Sequence, residues 1–173
     1  AMQNLTTGTV NTAVGNQAMT SITTGNSNVA VGREALSANT TANFNTAVGR
    51  DALKSNTTGT NNTAMGQVAA DAITTGSNNT AIGRHSLSSA TTGDQNTAVG
   101  SNAMGDMSTG VDNVAVGFSA GGQITTGNRN VSIGSGANGD GTTGSNNVVV
   151  GFACELSAVG GANQIVMGDT VTG

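Results

Sequence analysis

The sequence has no proline, no tryptophan and no tyrosine, only three phenylalanines and a single cysteine. A globular core of large aliphatic and aromatic side chains cannot be assembled from such a list, since most of the hydrophobic 35% is Ala and Val. Charge is scarce as well: Asp, Glu, Lys and Arg make up 8% of the chain, against about 25% in an ordinary soluble domain. The net charge of −4 argues against a nucleic-acid partner held by phosphate contacts. No apolar run approaches the roughly 20 residues of a membrane helix, and no secretory leader is visible. The lone Cys154 excludes an internal disulfide and leaves the redox compartment open. Disorder is the other reading of low charge and abundant glycine, but disordered chains are rich in Pro, Lys and Glu and keep no strict pattern.

A strict pattern is what this chain has. Gly15, Gly32, Gly49, Gly66, Gly83, Gly100, Gly117, Gly134, Gly151 and Gly168 follow one another at a constant interval of 17 residues. A second glycine series runs seven residues ahead of it, broken only by Ala42. The unit reads T-T-G-x-x-N-T-A-V-G-x-x-A-L-x-x-x, and residues 74–90 are its cleanest copy. A period that admits no insertion means that each unit stacks on the previous one. The N-T-A-V segment alternates and is β-branched, which suits a short strand, while the glycines suit turns and close backbone approach. No segment carries a helical apolar stripe with caps. The expected fold is therefore all-β: a parallel β-solenoid of about ten coils, one per 17 residues, stacked about 4.8 Å apart. Residues 6–173 form this single repeat domain. Residues 1–5 read as a lead-in remnant, because Ala1-Met2 looks like an artificial start to a longer natural chain.

Aligning the units gives columns. Asn11 to Asn147 at intervals of 17, ending in Gln164, form an amide column able to hydrogen-bond along its length. The Thr12 column is β-branched at all ten positions, and the Val14 column is apolar at all ten. Strand residues alternate between faces, so these two columns share a side, taken here as the inside of the coil. The small column between them, Ala13, Ala30, Ala47, Ala64, Ala81, Ala98 and Ala115, is then expected to face outward. An unbroken outward apolar row marks an interface, and a thin core needs such support. These alanines are the predicted contact between copies.

The T-T-G and N-T-A-V-G elements resemble the head repeats of trimeric autotransporter adhesins of the YadA type. The full 17-residue unit resembles repeats of phage and virus tail fibres more closely still. The resemblance covers Thr6 to about Met167. It implies a left-handed β-roll, a homotrimer, and an extracellular role in attachment on a virion fibre or a bacterial surface, with a cell-surface glycan or a protein receptor as partner. The adhesin unit is shorter, so the coil here is expected to contain an extra turn.

Chemistry is thinly represented. His85 and Cys154 stand four coils apart in different columns and make no zinc set. His85 reads as a solvated turn residue and Cys154 as a packing thiol. GANGDG at 136–141 faintly echoes calcium-binding β-roll repeats but does not recur. The G-x-G-x-x-G at 134–139 has no following helix, and Gly134 is simply the repeat glycine. The acids, from Glu34 to Asp169, fall in several columns without a nucleophile and base. The expectation is a non-enzyme with no cofactor and no metal. Arg33, Arg50 and Arg84 share the position after the strand glycine. They read either as solvated edge charges or as contacts to acidic glycans. Phe118 and Phe152 occupy that same position. They either fold back to shield the frayed C-terminal coils, the favoured reading, or stack on a sugar. The apolar Met19–Leu36–Leu53 column is lost after the sixth coil, so a structural change is expected around 121–141. The competing account is a monomeric solenoid with an ice- or ligand-binding face. The paired Thr columns, Thr6-Thr7 through Thr142-Thr143, suggest it, but it needs the Thr/Val column to face outward.

Overall fold

The computed structural model describes residues 1–141, 143–158 and 160–168. Thr142, Val159 and the segment 169–173, which includes Asp169, lie outside the described residues. The chain is an all-β parallel solenoid with about 17 residues per turn and, among the described residues, no helix. Ten three-residue strands follow in chain order: β1 (Thr12–Val14), β2 (Val29–Val31), β3 (Thr46–Val48), β4 (Thr63–Met65), β5 (Thr80–Ile82), β6 (Thr97–Val99), β7 (Val114–Val116), β8 (Val131–Ile133), β9 (Val148–Val150) and β10 (Ile165–Met167). They lie side by side in one sheet in sequence order, each parallel to the next. Every residue pairs with the one 17 positions on, as Ala81 does with Ala98.

Pairing between coils extends beyond the strands. Leu36 N donates to Ala52 O at 3.0 Å, Ser89 N to Gly105 O at 3.1 Å and Thr74 N to Thr91 O at 2.9 Å. The corners are left-handed residues repeated in each coil, such as Asn78, His85 and Leu87 (φ 61°, 56° and 51°). The strand-ending glycine is required by proximity. A Cβ on Gly83, whose φ is +129°, would lie 2.4 Å from the carbonyl oxygen of Gly100 in the next coil.

The amide column is the internal spine. Asn79 Oδ1 accepts the backbone N–H of Asn96 at 3.0 Å, and its Nδ2 donates to Gly93 O at 2.8 Å and to Asn62 Oδ1 at 3.1 Å. The same arrangement recurs at Asn96, Asn113 and Asn130, all fully buried or nearly so. The ladder stops at Gln164, whose longer side chain folds back, Oε1 accepting from Ser157 N and Oγ. Asn79→Ala strips partners from the Asn96 N–H and the Gly93 carbonyl together. It is expected to destabilise the chain by roughly 2–4 kcal/mol, read as a lower denaturation midpoint at unchanged slope.

The spine decides which strand face is inside, and it reverses the expectation above. Asn79 and Ala81 are two residues apart and so share a side. With the amides inside, the alanines must be inside too. Ala30, Ala47, Ala64, Ala81, Ala98 and Ala115 are fully buried in the chain's own core, and Ala13 in the terminal coil is half-buried. They cannot be the contact between copies. The Thr/Val and Val/Ile/Met columns, assigned to the interior from sequence, face outward instead.

Opposite the alanines, two further interior columns three residues apart trade volume. Leu36 and Leu53 are matched by Asn39 and Asn56, Leu87 by Ala90, Ala70 by Ile73 and Gly121 by Ile124, whereas Met19–Ile22 and Met104–Met107 are large in both columns. Loss of the leucine ridge at Gly121 is thus offset by Ile124. One continuous core runs to Ala120, and a second small cluster of Ala137, Val149, Cys154 and Leu156 closes the C-terminal end. The expected change around 121–141 is the seam between them. Cys154 is buried in an otherwise small-residue column.

Candidate interaction surface

The outward strand face is built by parity. In each coil the Asn and Ala side chains point in, so Thr80 and Ile82 must point out, and β-branching favours both in a strand. Repetition then aligns them with their neighbours 17 residues away, about 4.8 Å along the rod. One column mixes Thr with Val and ends in Ile165. The other, from Val14 to Met167, has no polar member over ten rungs. Its exposure is substantial in the middle of the rod: Met65 at 48%, Ile82 at 37% and Ile133 at 41%. A soluble sheet normally turns polar residues outward on such a face, so this column is an unpartnered apolar stripe.

All three phenylalanines border it. Phe44 stands two residues before the Thr/Val column, and Phe118 and Phe152 two residues after the Val/Ile/Met column. They are 60%, 62% and 64% exposed. The fold-back reading of Phe118 and Phe152 is therefore wrong. The C-terminal coils are sealed from within by Leu156 and Val149, which leaves the rings nothing to shield. Two rungs apart, with Ser135 between them, the rings are separated by about 10 Å, beyond the 4.5–7 Å of direct ring contact.

The arginine stripe is uneven. Arg33 pairs with Glu34, and Arg50 with Asp51 at 3.5 Å. Lys54 bridges to Glu34 and, at 3.7 Å, to Asp51. The Lys54 ammonium, followed by the Arg33 guanidinium, holds the Glu34 carboxyl below its ordinary range. Arg33 and Arg50 are thus held in an ion-pair network on coils two and three. Arg84 makes no ion pair among the described residues.

Asp71, next along this margin, is less comfortable. Burial raises its carboxyl pKa above 3.8, and Oδ1 has no hydrogen-bond partner. Because the folded chain holds that proton more tightly, its contribution favours folding at low pH and is lost as pH rises through the raised value. Asp71→Asn is expected to remove that slope and to raise the melting midpoint at pH 7 by a few degrees, as thermal scans across pH will show.

Elsewhere the surface is polar. Thr57 and Thr74 are half-buried, each donating Oγ1 to the next coil's carbonyl (Thr57 to Thr74 at 3.0 Å, Thr74 to Thr91 at 3.1 Å), while the adjacent Thr58 and Thr75 are exposed. The same split holds at Thr23-Thr24, Thr40-Thr41 and Thr125-Thr126, whereas at Thr6-Thr7 and Thr91-Thr92 both threonines are exposed, which the expected alternation does not give. At the calcium-like segment the backbone N–H groups of Gly139 and Asp140 donate to the Glu155 carboxylate at 3.0 and 3.1 Å, which presents donors where a cation needs acceptors. Among the described residues no group of three His, Cys, Asp or Glu side chains stands close enough to hold a metal ion, and no helix is long and apolar enough to cross a membrane.

Sequence reasoning missed Phe44 and put the apolar column on the wrong side. The parity of Asn and Ala was the signal that could have placed both. Comparison with protein-family models, curated proteins and solved structures gives no match.

Proposed function

We propose that this chain is a rod segment of a self-associating surface fibre, in which copies pack side by side through the outward strand face. The observation that carries the reading is the Val14–Met167 column, apolar on all ten rungs, exposed at seven of them and half-buried at Val48, Val99 and Val150. Three copies around a shared axis is the arrangement that the resemblance to adhesin heads and tail fibres suggests. In that arrangement the Thr/Val and Val/Ile/Met columns, not the alanines, line the axis. The function is mechanical and adhesive rather than enzymatic: a stiff extracellular spacer or attachment head. Arg84 and the outer edges of Phe118 and Phe152 are its candidate contacts to a cell-surface glycan or a protein receptor. Light scattering with refractive-index detection tests the assembly, since a chain without Trp or Tyr scarcely absorbs at 280 nm. A mass of three chains is expected, and a mass of one chain overturns the proposal.

One observation favours a second reading, a solenoid acting alone with a water-ordering face. The Thr/Val column does face outward, which that reading requires. Against it, half of that column is Val or Ile, its neighbour has no hydroxyl at all, and Met65 and Met167 break the evenness a water lattice needs. A thermal-hysteresis assay separates the two: activity in a monomeric sample would favour the second.

A further inference from the structure

One flank of the rod changes along its length. Coils one to five carry Thr20, Ser37, Lys54, Asp71 and Ser88 in one column, and coils six to eight carry Gly105, Gly122 and Gly139 in the same place. None of these three glycines has a left-handed φ, so conformation does not demand them. Three positions earlier in the coil stands Gly136. Its φ is +68°, but Gln17 and His85 hold the same corner at 57° and 56° with full side chains. A Cβ on Gly136 would meet nothing closer than Ala153 Cα, at 3.6 Å. Side chains are absent here where the repeat admits them.

Their absence opens a groove of about 480 Å³ over coils six to nine, three rung spacings or about 14 Å long. That volume falls within the roughly 300–1,000 Å³ of small-ligand sites. On coil three the same furrow is bridged, where Lys54 reaches Glu34 and Asp51. The floor is Gly122, Gly136 and Gly139, which lets a ligand approach the backbone closely. The rim is Asn102, Asp106, Gln123 and Asp140, all exposed. The side chains of Asp106, Gln123 and Asp140 make no hydrogen bond or ion pair among the described residues. Glu155 differs, because its oxygens accept from the N–H groups of Gly139 and Asp140 and so only shape the groove's end. Two aromatic rings stand beside the groove. Phe118 directly precedes Ser119 and Phe152 directly precedes Ala153, both of which line it.

We infer that this groove binds a neutral oligosaccharide, an inference that rests on the attachment reading above. No Lys, Arg or His lines the groove, so an anionic sugar meets two carboxylates and no counter-charge. A neutral sugar donates its hydroxyls to Asp106 and Asp140 and accepts from the amides of Asn102 and Gln123. Its apolar C–H face lies on the exposed ring of Phe118 or Phe152, whose π-face is electron-rich. Arg84, on coil five, takes no part. The groove lies beyond the phenylalanine column from the strand face, so it is open in the single chain and in the assembly alike.

The test is a printed array of neutral, amine-bearing and sialylated oligosaccharides, probed with the fluorescently labelled chain. The parent is expected to bind neutral spots. Gly136→Gln fills the groove with a side chain that the same corner already carries at Gln17. It is expected to weaken that binding at least ten-fold, with circular dichroism and solution mass unchanged, while Arg84→Ala binds like the parent. Neutral binding that Gly136→Gln leaves intact overturns the groove and keeps the attachment reading. So does binding confined to sialylated spots and lost in Arg84→Ala. Binding confined to amine-bearing spots overturns the neutral sugar in favour of a cationic ligand. A parent that binds no spot overturns the glycan reading and the groove with it.

Discussion

Ala81→Glu is expected to unfold the solenoid. The Ala81 side chain is fully buried in the middle of the rod, between Ala64 and Ala98 on the neighbouring strands. No cation reaches that column: the chain has only five Lys and Arg, and those with ion pairs sit on the surface. A carboxylate there is desolvated without a partner, at a cost of several kcal/mol, and its extra length overpacks a closely filled interior by about 1–3 kcal/mol more. A domain is stable by only about 5–15 kcal/mol. In a stack where each coil touches only its neighbours, the damage falls on two junctions at once. The melting midpoint should fall by about 10 °C or more, or the β-sheet signal should vanish. A folded variant that has merely lost its partners is the result expected had the alanines faced a shared axis.

The second large effect is the converse. Val31→Glu, Met65→Glu and Val99→Glu, made together, should leave the coil folded and separate the copies. These positions alternate with untouched rungs, so the new carboxylates stand about 10 Å apart and repel one another weakly in water. In the single chain Val31 and Met65 are exposed and Val99 is half-buried on the same outward face, and the interior is unchanged. In an assembly each glutamate is buried against an apolar neighbour, and unpaired charge in an interface is strongly opposed. The expected result is a single-chain mass with a circular dichroism spectrum like that of the parent. Retention of the multi-chain mass would remove the strand face from the account.

Much of this architecture is legible in the sequence. The constant spacing of Gly15, Gly32 and their successors gave the coil length, the parallel register and the strand positions. The Asn column declared its ladder, because an amide repeated at the spacing of stacked strands has its partners built in. The loss of the leucine ridge after Met104 located the seam in the core. What was not legible was the side of the strand that faces inward. Ala and Val are both small and apolar, so composition assigns neither column to the core. The deciding fact lies one residue outside the strand, where buried Asn79 and Ala81 share a parity. The same oversight hid the exposure of the phenylalanines. Phe118 looked as if it should shield a tapering end, but Ile124 and Leu156 fill that space from within. Trimeric assembly, handedness and receptor binding rest on the resemblance of the repeat.

The account turns on which of two adjacent residues meets solvent. With Cys154 replaced by alanine, Ala81→Cys and Ile82→Cys place a single thiol on either side of the same strand, with little change in bulk. Thiol-labelling rates under native conditions then read the two faces directly. The account predicts that the Ala81→Cys thiol stays protected whether the protein is concentrated or diluted to single chains. The Ile82→Cys thiol should react quickly when dilute and slowly when assembled. Rapid labelling of the Ala81→Cys thiol, with protection of the Ile82→Cys thiol at every dilution, would contradict it.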